Sequence, residues 1–270
     1  VNIFFSMTVG EEWRKALEKE GYGHTALRKG DCLKLKKFTR IWKRALRIVR
    51  LSGSFSPHSV FEFGCGGGKH LVPFALHGFQ CVGIDVSPEV LERARGYIED
   101  ASRLCGAELP IELIRGDFLE YNAPDTLYDI VFHVGVIEHF LDDAERLTAI
   151  KKMFALAKPG GYVVSMVPSG THPIRKKMKE LGLGGYGIGE IDYTPEIMQK
   201  EFEICGAEKA WVLPHNIFGY LLIDDSNGFR RIFSKLFYYL MQIIPPDFFL
   251  HHFAVRHASA LIGVAKKPLR

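Results

Sequence analysis

The chain has 270 residues, 47% of them hydrophobic and 24% charged, with a formal net charge of +4. That is enough chain to bury a full core in an ordinary globular domain, and too little charge to indicate a nucleic-acid partner. No uninterrupted apolar run reaches the roughly 20 residues that span a bilayer.

The start, VNIFFSMTVG, runs straight into Glu11 and Glu12 with no basic flank, the reverse of a signal peptide. The five cysteines, Cys32, Cys65, Cys81, Cys105 and Cys205, form no C-x-x-C pair. They read as free thiols, with a cytoplasmic location expected.

Residues 8–52 read as helical, broken around Gly21, Gly23 and Gly30–Asp31. In the second of these helices Phe38, Ile41, Trp42, Ala45, Ile48 and Val49 share one face. The other face carries seven cations from Lys36 to Arg50. A solvated surface or a meeting with an anionic partner both fit it.

From residue 58 strands and helices alternate. SVFEF is a strand, then a glycine cluster, then a helix over about 69–77. CVGIDV is the second strand, and Ser87–Pro88 caps a helix reaching about Leu104. PIELIRGDF and YDIVFHVGV hold the third and fourth strands, and a helix over about 142–156 stops at Lys158–Pro159–Gly160–Gly161. YVVSMVP is the fifth strand, residues 194–205 a Thr194-capped helix, and AEKAWVLP and ASALIGVAK the last two strands.

This rhythm predicts an α/β fold: a doubly wound, mostly parallel seven-stranded sheet with helices on both faces. Residues 1–52 form an N-terminal helical cap, and 53–270 the main domain. Glycine-rich 169–192 is a candidate lid. An aromatic insertion over 214–256 precedes the last strand. Its segment IFSKLFYYLMQII is apolar nearly all round and is broken at Pro245–Pro246. Buried packing is one reading, and an element at a membrane or over a hydrophobic acceptor the other.

The cluster VFEFGCGGGKH decides the chemistry. A P-loop fails on counting, because Phe63 stands where its first glycine belongs and His70 where Ser or Thr belongs. In a dinucleotide fingerprint counted from Gly64 and Gly66, the third glycine falls on Lys69. The pattern E-x-G-x-G-x-G, in contrast, is met by Glu62, Gly64, Gly66 and Gly68.

With this pattern the chain resembles the class I S-adenosylmethionine-dependent methyltransferases. Asp85 follows Gly64 by 21 residues, and the resemblance implies that it holds both ribose hydroxyls, as a carboxylate can. Asp117 takes the place near the adenine amino group, with Phe118 and Val86 against the purine faces. Glu62 braces the glycine turn or reaches the cofactor amine, Cys65 lies within that turn, and carbonyls from His133 to Gly135 accept from the same amine. YDIVFHVGVIEHF and LAKPGGYVVSMVP also resemble family motifs, so the likeness covers residues 60–168. It implies S-adenosylmethionine as cofactor and S-adenosylhomocysteine as product.

A base is needed if the acceptor is a hydroxyl or a protonated amine. His139, in IEHF just past the fourth strand, is the expected catalytic residue, with His172, Tyr186, Tyr193 and His215 as weaker choices. His251, His252 and His257 lack an acidic partner at a ligand spacing, so no metal is expected. Motifs of the DNA and protein-arginine enzymes are missing. The remaining expectation is a methyltransferase acting on O or N of a small molecule, with a hydrophobic or lipid-like acceptor and peripheral membrane contact as options. An NAD-dependent oxidoreductase and a non-catalytic cofactor-binding module are the alternatives.

Overall fold

The structure, a computed structural model, describes residues 27, 30–52, 58–122, 127–181, 189–222, 228–243 and 249–270. The first expected helix with Gly21 and Gly23, Tyr186, and the Pro245–Pro246 break lie outside these residues.

Seven strands form one sheet in the order β3-β2-β1-β4-β5-β7-β6. They are β1 (Ser59–Phe63), β2 (Gln80–Asp85), β3 (Ile111–Arg115), β4 (Tyr128–Val134), β5 (Ala157–Pro168), β6 (Lys209–Ile217) and β7 (Ala258–Lys266). The first five pair in parallel, while β7 runs antiparallel to both β5 and β6. β1 lies between β2 and β4, so the strand order reverses there and opens a crevice at the carboxyl edge.

The helices are α1 (Cys32–Leu35), α2 (Arg40–Leu51), α3 (Leu71–Ala75), α4 (Pro88–Cys105), α5 (Asp143–Leu156), α6 (Arg175–Glu180), α7 (Pro195–Ile204), α8 (Gly228–Met241) and α9 (His251–His257). Several of them start at a side chain that caps them. Ser87 Oγ accepts from Val90 N–H with Pro88 at the first helical position, and left-handed Gly106 ends α4. Asp142 caps α5 through the N–H groups of Ala144 and Glu145, and Thr194 caps α7.

Two cores sandwich the sheet. On one face Trp42, Ala45 and Val49 of α2 pack with Phe74 of α3 and Phe132 of β4. Trp42 meets both Phe rings edge-on, with centroids 4.7 and 4.6 Å away. Each large apolar side chain buried here is worth roughly 1.5–3 kcal/mol, so α2 is held by its packing. The indole N–H of Trp42 also donates to His70 Nδ1 at 3.2 Å. The opposite face buries Phe61, Phe63, Ile84, Ile150, Met153 and Phe202.

Two details differ from the sequence expectation. Lys158–Pro159–Gly160–Gly161 lies inside β5, which starts at Ala157. The β4–β5 register shifts between Tyr128 and Ile130, and that irregularity takes up the extra residues. The five cysteines are not all free thiols either. Cys32 and Cys105 form a disulfide, Cα–Cα 5.3 Å, that ties α1 to the end of α4. Spacing could not show this pairing, because 73 residues separate the two. Among the described residues no helix is long and apolar enough to cross a membrane.

Candidate active site

The crevice is lined by the tips of four adjacent strands. β1 runs into the turn 64–68, where Gly64, Gly66 and Gly68 take left-handed φ values of +59°, +51° and +71°. A Cβ on Gly66 or Gly67 would meet nothing within 4 Å, whereas one on Gly64 would lie 2.7 Å from Val136 Cγ2. Gly66 and Gly67 therefore face open space, and Gly64 is packed against the turn after β4.

Asp85 closes β2. Its Oδ2 accepts from Gly66 N–H and its Oδ1 from Ser87 N–H, each at 3.0 Å. Burial raises its pKa against the pull of these backbone donors. Glu62 is 1% exposed, and its Oε2 is buried without a hydrogen-bond partner among the described residues. Burial, and then the charge of Asp85, hold the Glu62 carboxyl well above the usual carboxylate range.

The remaining expected cofactor residues divide into two groups. Half-buried Val86 and Asp117 sit at the tips of β2 and β3, and Asp117 Oδ1 accepts from Leu119 N–H at 2.9 Å. Gly135, φ +73°, hands its N–H to Met166 O and turns the chain after β4. The other group turns inward. Phe118 stacks on Phe63 at 4.4 Å and meets Phe140 edge-on, so its ring is committed to the core. The Cys65 side chain packs on the β2 backbone, where a Cβ on Gly83 would lie 2.8 Å from its Sγ. His133 is fully buried with Nε2 against Ser165 Oγ at 2.7 Å, and burial pushes its pKa down to about 3.

The acceptor side is the 3-10 turn Ile137–His139. His139 Nδ1–H donates to Gly189 O at 2.9 Å, which makes Nε2 the ring nitrogen carrying the lone pair. Burial lowers its pKa. Ile191 N–H donates to Glu138 O at 2.8 Å, so the strip 189–191 is fastened across this turn by two hydrogen bonds. Glu138 is 1% exposed with an unpartnered, buried Oε2, and burial pushes its pKa up to about 8.

Buried arginines, unnoticed in the sequence, fix this region. Arg175 pairs with Glu190 and, at 3.0 Å, with Asp192. Arg146 binds Glu201 at 2.6 Å, and its Nη1 donates to Phe140 O at 2.9 Å. Tyr193 OH donates to Glu201 Oε2 at 2.8 Å, so this expected weaker catalytic choice is fully engaged in the core. His172 stacks on Tyr220, and burial pushes both His172 and His215 down to about 4. Ligand atoms of Glu138, His139 and Glu190 all lie within 4.8 Å of one another, a set able to hold a divalent cation. Arg175 already supplies positive charge there through Glu190.

Residues 60–161 match a family described as "Methyltransferase domain". The chain is 26% identical over 180 residues to the ubiquinone biosynthesis O-methyltransferase of Bordetella pertussis, covering 55% of this chain and 71% of that one. It is 32% identical over 128 residues to norajmaline N-methyltransferase of Rauvolfia serpentina, covering 46% and 41%. In fold it resembles magnesium protoporphyrin IX methyltransferase of Synechocystis PCC 6803, solved with bound S-adenosylhomocysteine. That likeness has a TM-score of 0.54 at 14% identity, over 98% of this chain and 96% of that one.

The residues present fit a ligand of the kind bound in the Synechocystis enzyme. Glu62 offers a buried carboxyl oxygen with no partner among the described residues, the space over Gly66 and Gly67 leaves room for a ligand against the backbone, and Asp85 is a carboxylate bonded to that same turn, a group type able to accept from a vicinal diol.

Proposed function

We propose that this chain is a class I S-adenosylmethionine-dependent methyltransferase that methylates an oxygen or nitrogen atom of a small molecule, with His139 as general base. The observation that carries this reading is the Gly189 carbonyl on His139 Nδ1–H, which points the lone-pair chemistry to Nε2. Burial keeps the imidazole neutral, the state a base needs.

S-adenosylmethionine, when bound, supplies an electrophilic methyl group. In this reading Asp85 holds the ribose, Glu62 neutralises the amino-acid ammonium, and Asp117 and Val86 flank the adenine. Phe118 serves from beneath, by keeping the crevice floor rigid through its stack on Phe63. His139 takes the proton of a hydroxyl or ammonium acceptor, and the fastened strip 189–191 excludes water beside it. Helix α2 caps one face of the sheet, and Gly189 and Ile191 cover the acceptor turn. The two named relatives act on oxygen and on nitrogen, which supports leaving both atoms in the proposal.

The test is S-adenosylhomocysteine release across a panel of phenols, alcohols and amines. His139→Gln should lower kcat by about a hundredfold or more, a typical loss for a general base, with S-adenosylhomocysteine affinity preserved. Unchanged turnover in that variant, on the acceptor the wild type uses, removes His139 from the chemistry.

A further inference from the structure

The insertion between β6 and β7 carries an apolar surface that the methyl-transfer site leaves unexplained. Helix α8 faces two ways. Its inner side packs Phe237, Tyr238 and Met241 on a small cluster with Ile217, Phe218 and Tyr220. That side is also hydrogen-bonded: Tyr238 OH donates to Asn216 Oδ1 at 2.7 Å and Gln242 Nε2 to Ile217 O at 3.0 Å. With its packing met on this side, α8 has a defined outer face.

Along that outer face run Phe229, Ile232, Phe233, Leu236 and Leu240, spaced as one stripe of a helix, with Ile243 just past its end. All are exposed, from 59% at Leu240 to 85% at Phe229. A soluble helix normally turns polar residues outward, so this one is inverted. Six large side chains in a row exceed the scattered apolar exposure of ordinary surfaces.

We propose that α8 is an in-plane docking element for an anionic lipid bilayer. The choice of occupant rests on charge. The helix carries Arg230, Arg231 and Lys235, all exposed, and no acidic residue from 228 to 243. Cations flanking an inserted apolar stripe suit anionic headgroups, and long basic side chains can lie along the apolar surface with their charges in the headgroup layer. A second copy of the chain would bring the same three cations against these, so self-association lacks the complementarity that a bilayer offers. Arg40 Nη1 donates to Gln242 Oε1 at 3.1 Å, which joins the end of α8 to the start of basic helix α2 and continues the positive surface.

The docking element is on the same sheet edge as the crevice. β6 and β5 both run antiparallel to β7, and their last residues, Ile217 and Pro168, pair near its start at Ala258 and Ala260. β5 is parallel to β4, so the base of the insertion shares the carboxyl edge with Val134 and the turn of His139. Met178 of α6 packs in the α8 cluster, three residues from the Arg175 that holds Glu190. A bilayer under α8 therefore lies at the edge from which an acceptor enters, and the class of acceptor it implies is an amphiphile drawn from the membrane.

Flotation of the full chain with phosphatidylcholine vesicles, alone and with about a third phosphatidylglycerol, tests the proposal. Wild type should float with the anionic vesicles and be released by high salt. Ile232→Ser/Leu236→Ser should remain at the bottom. Arg230→Gln/Arg231→Gln/Lys235→Gln should lose affinity by roughly fivefold per cation removed. Retained S-adenosylhomocysteine binding in both variants certifies their fold, whatever becomes of the proposed acceptor chemistry. Failure of wild type to float, equal binding to neutral vesicles, or a dimer by light scattering that Ile232→Ser/Leu236→Ser dissociates would overturn it.

Discussion

The N–H of Gly66 donates to Asp85 Oδ2 at 3.0 Å, which joins the glycine turn after β1 to the carboxylate that ends β2. One acid thus shapes the turn and, in the proposed reading, also holds the ribose. Asp85→Ala removes both functions, and leaves the N–H groups of Gly66 and Ser87 without their acceptor. Hydrogen bonds to a charged group are worth about 1.5–3 kcal/mol. Calorimetry should show S-adenosylhomocysteine binding weakened by roughly ten- to a hundredfold, with the melting temperature lowered as well. Affinity within about twofold of wild type would remove Asp85 from the ribose site.

Gly64 and Gly66 look alike in the motif and differ in the structure. A side chain on Gly66 enters open space, so Gly66→Val should fold with a penalty of about 1–2 kcal/mol for its φ of +51° and fail to bind cofactor. At Gly64 the same φ penalty comes with a Cβ 2.7 Å from Val136, so Gly64→Val should lose stability first. Thermal melts with and without S-adenosylhomocysteine separate the two. Equal melting temperatures would contradict this assignment.

Local signals made the parallel strands, the helix caps and the glycine turn legible in the sequence. Ser87–Pro88 and Thr194–Pro195 each start a helix, and the structure uses both. Side-chain direction was less legible. Phe118 follows Asp117 and reads as a purine contact, while in the structure its buried ring stacks on Phe63. The buried partners of the acceptor turn were not legible at all. Arg146 meets Glu201 across 55 residues and Arg175 meets Glu190 across 15, and charged residues on helices otherwise read as solvated. The outward stripe of α8 was visible as apolar residues, but periodicity alone does not say which face of a helix meets solvent.

The two orphaned carboxyls set the pH response. Glu138, raised to about 8, binds more protons folded than unfolded between its ordinary range near 4.5 and about 8. The cofactor-free protein should therefore lose stability as pH rises through that window and level off above it. Melting temperatures from about pH 5 to about pH 9 check this, and the decline should be shallower in Glu138→Gln. Glu62 is raised in the same sense. An ammonium beside it favours the ionised form, so S-adenosylhomocysteine binding should release a proton and tighten as pH rises. Identical binding heats in buffers of different ionisation enthalpy would exclude proton release.

Glu201 anchors the acceptor turn from behind. Its Oε1 meets Arg146 Nε at 2.6 Å and its Oε2 accepts from Tyr193 OH at 2.8 Å, all three side chains being buried. Arg146 in turn donates to the carbonyl of Phe140, the residue after His139. Glu201→Ala leaves a buried guanidinium short of its partner, a loss of about 3–5 kcal/mol. At 2–4 °C per kcal/mol for chains of somewhat smaller size, that is a fall of roughly 10 °C in Tm. Tyr193→Phe removes one hydrogen bond and keeps the ion pair, so it should cost less, about 1.5–3 kcal/mol. If Glu201 positions the turn as well as stabilising it, kcat in Glu201→Gln should fall more than S-adenosylhomocysteine affinity at a temperature where the variant is folded. Equal losses in both would leave Glu201 a purely structural residue.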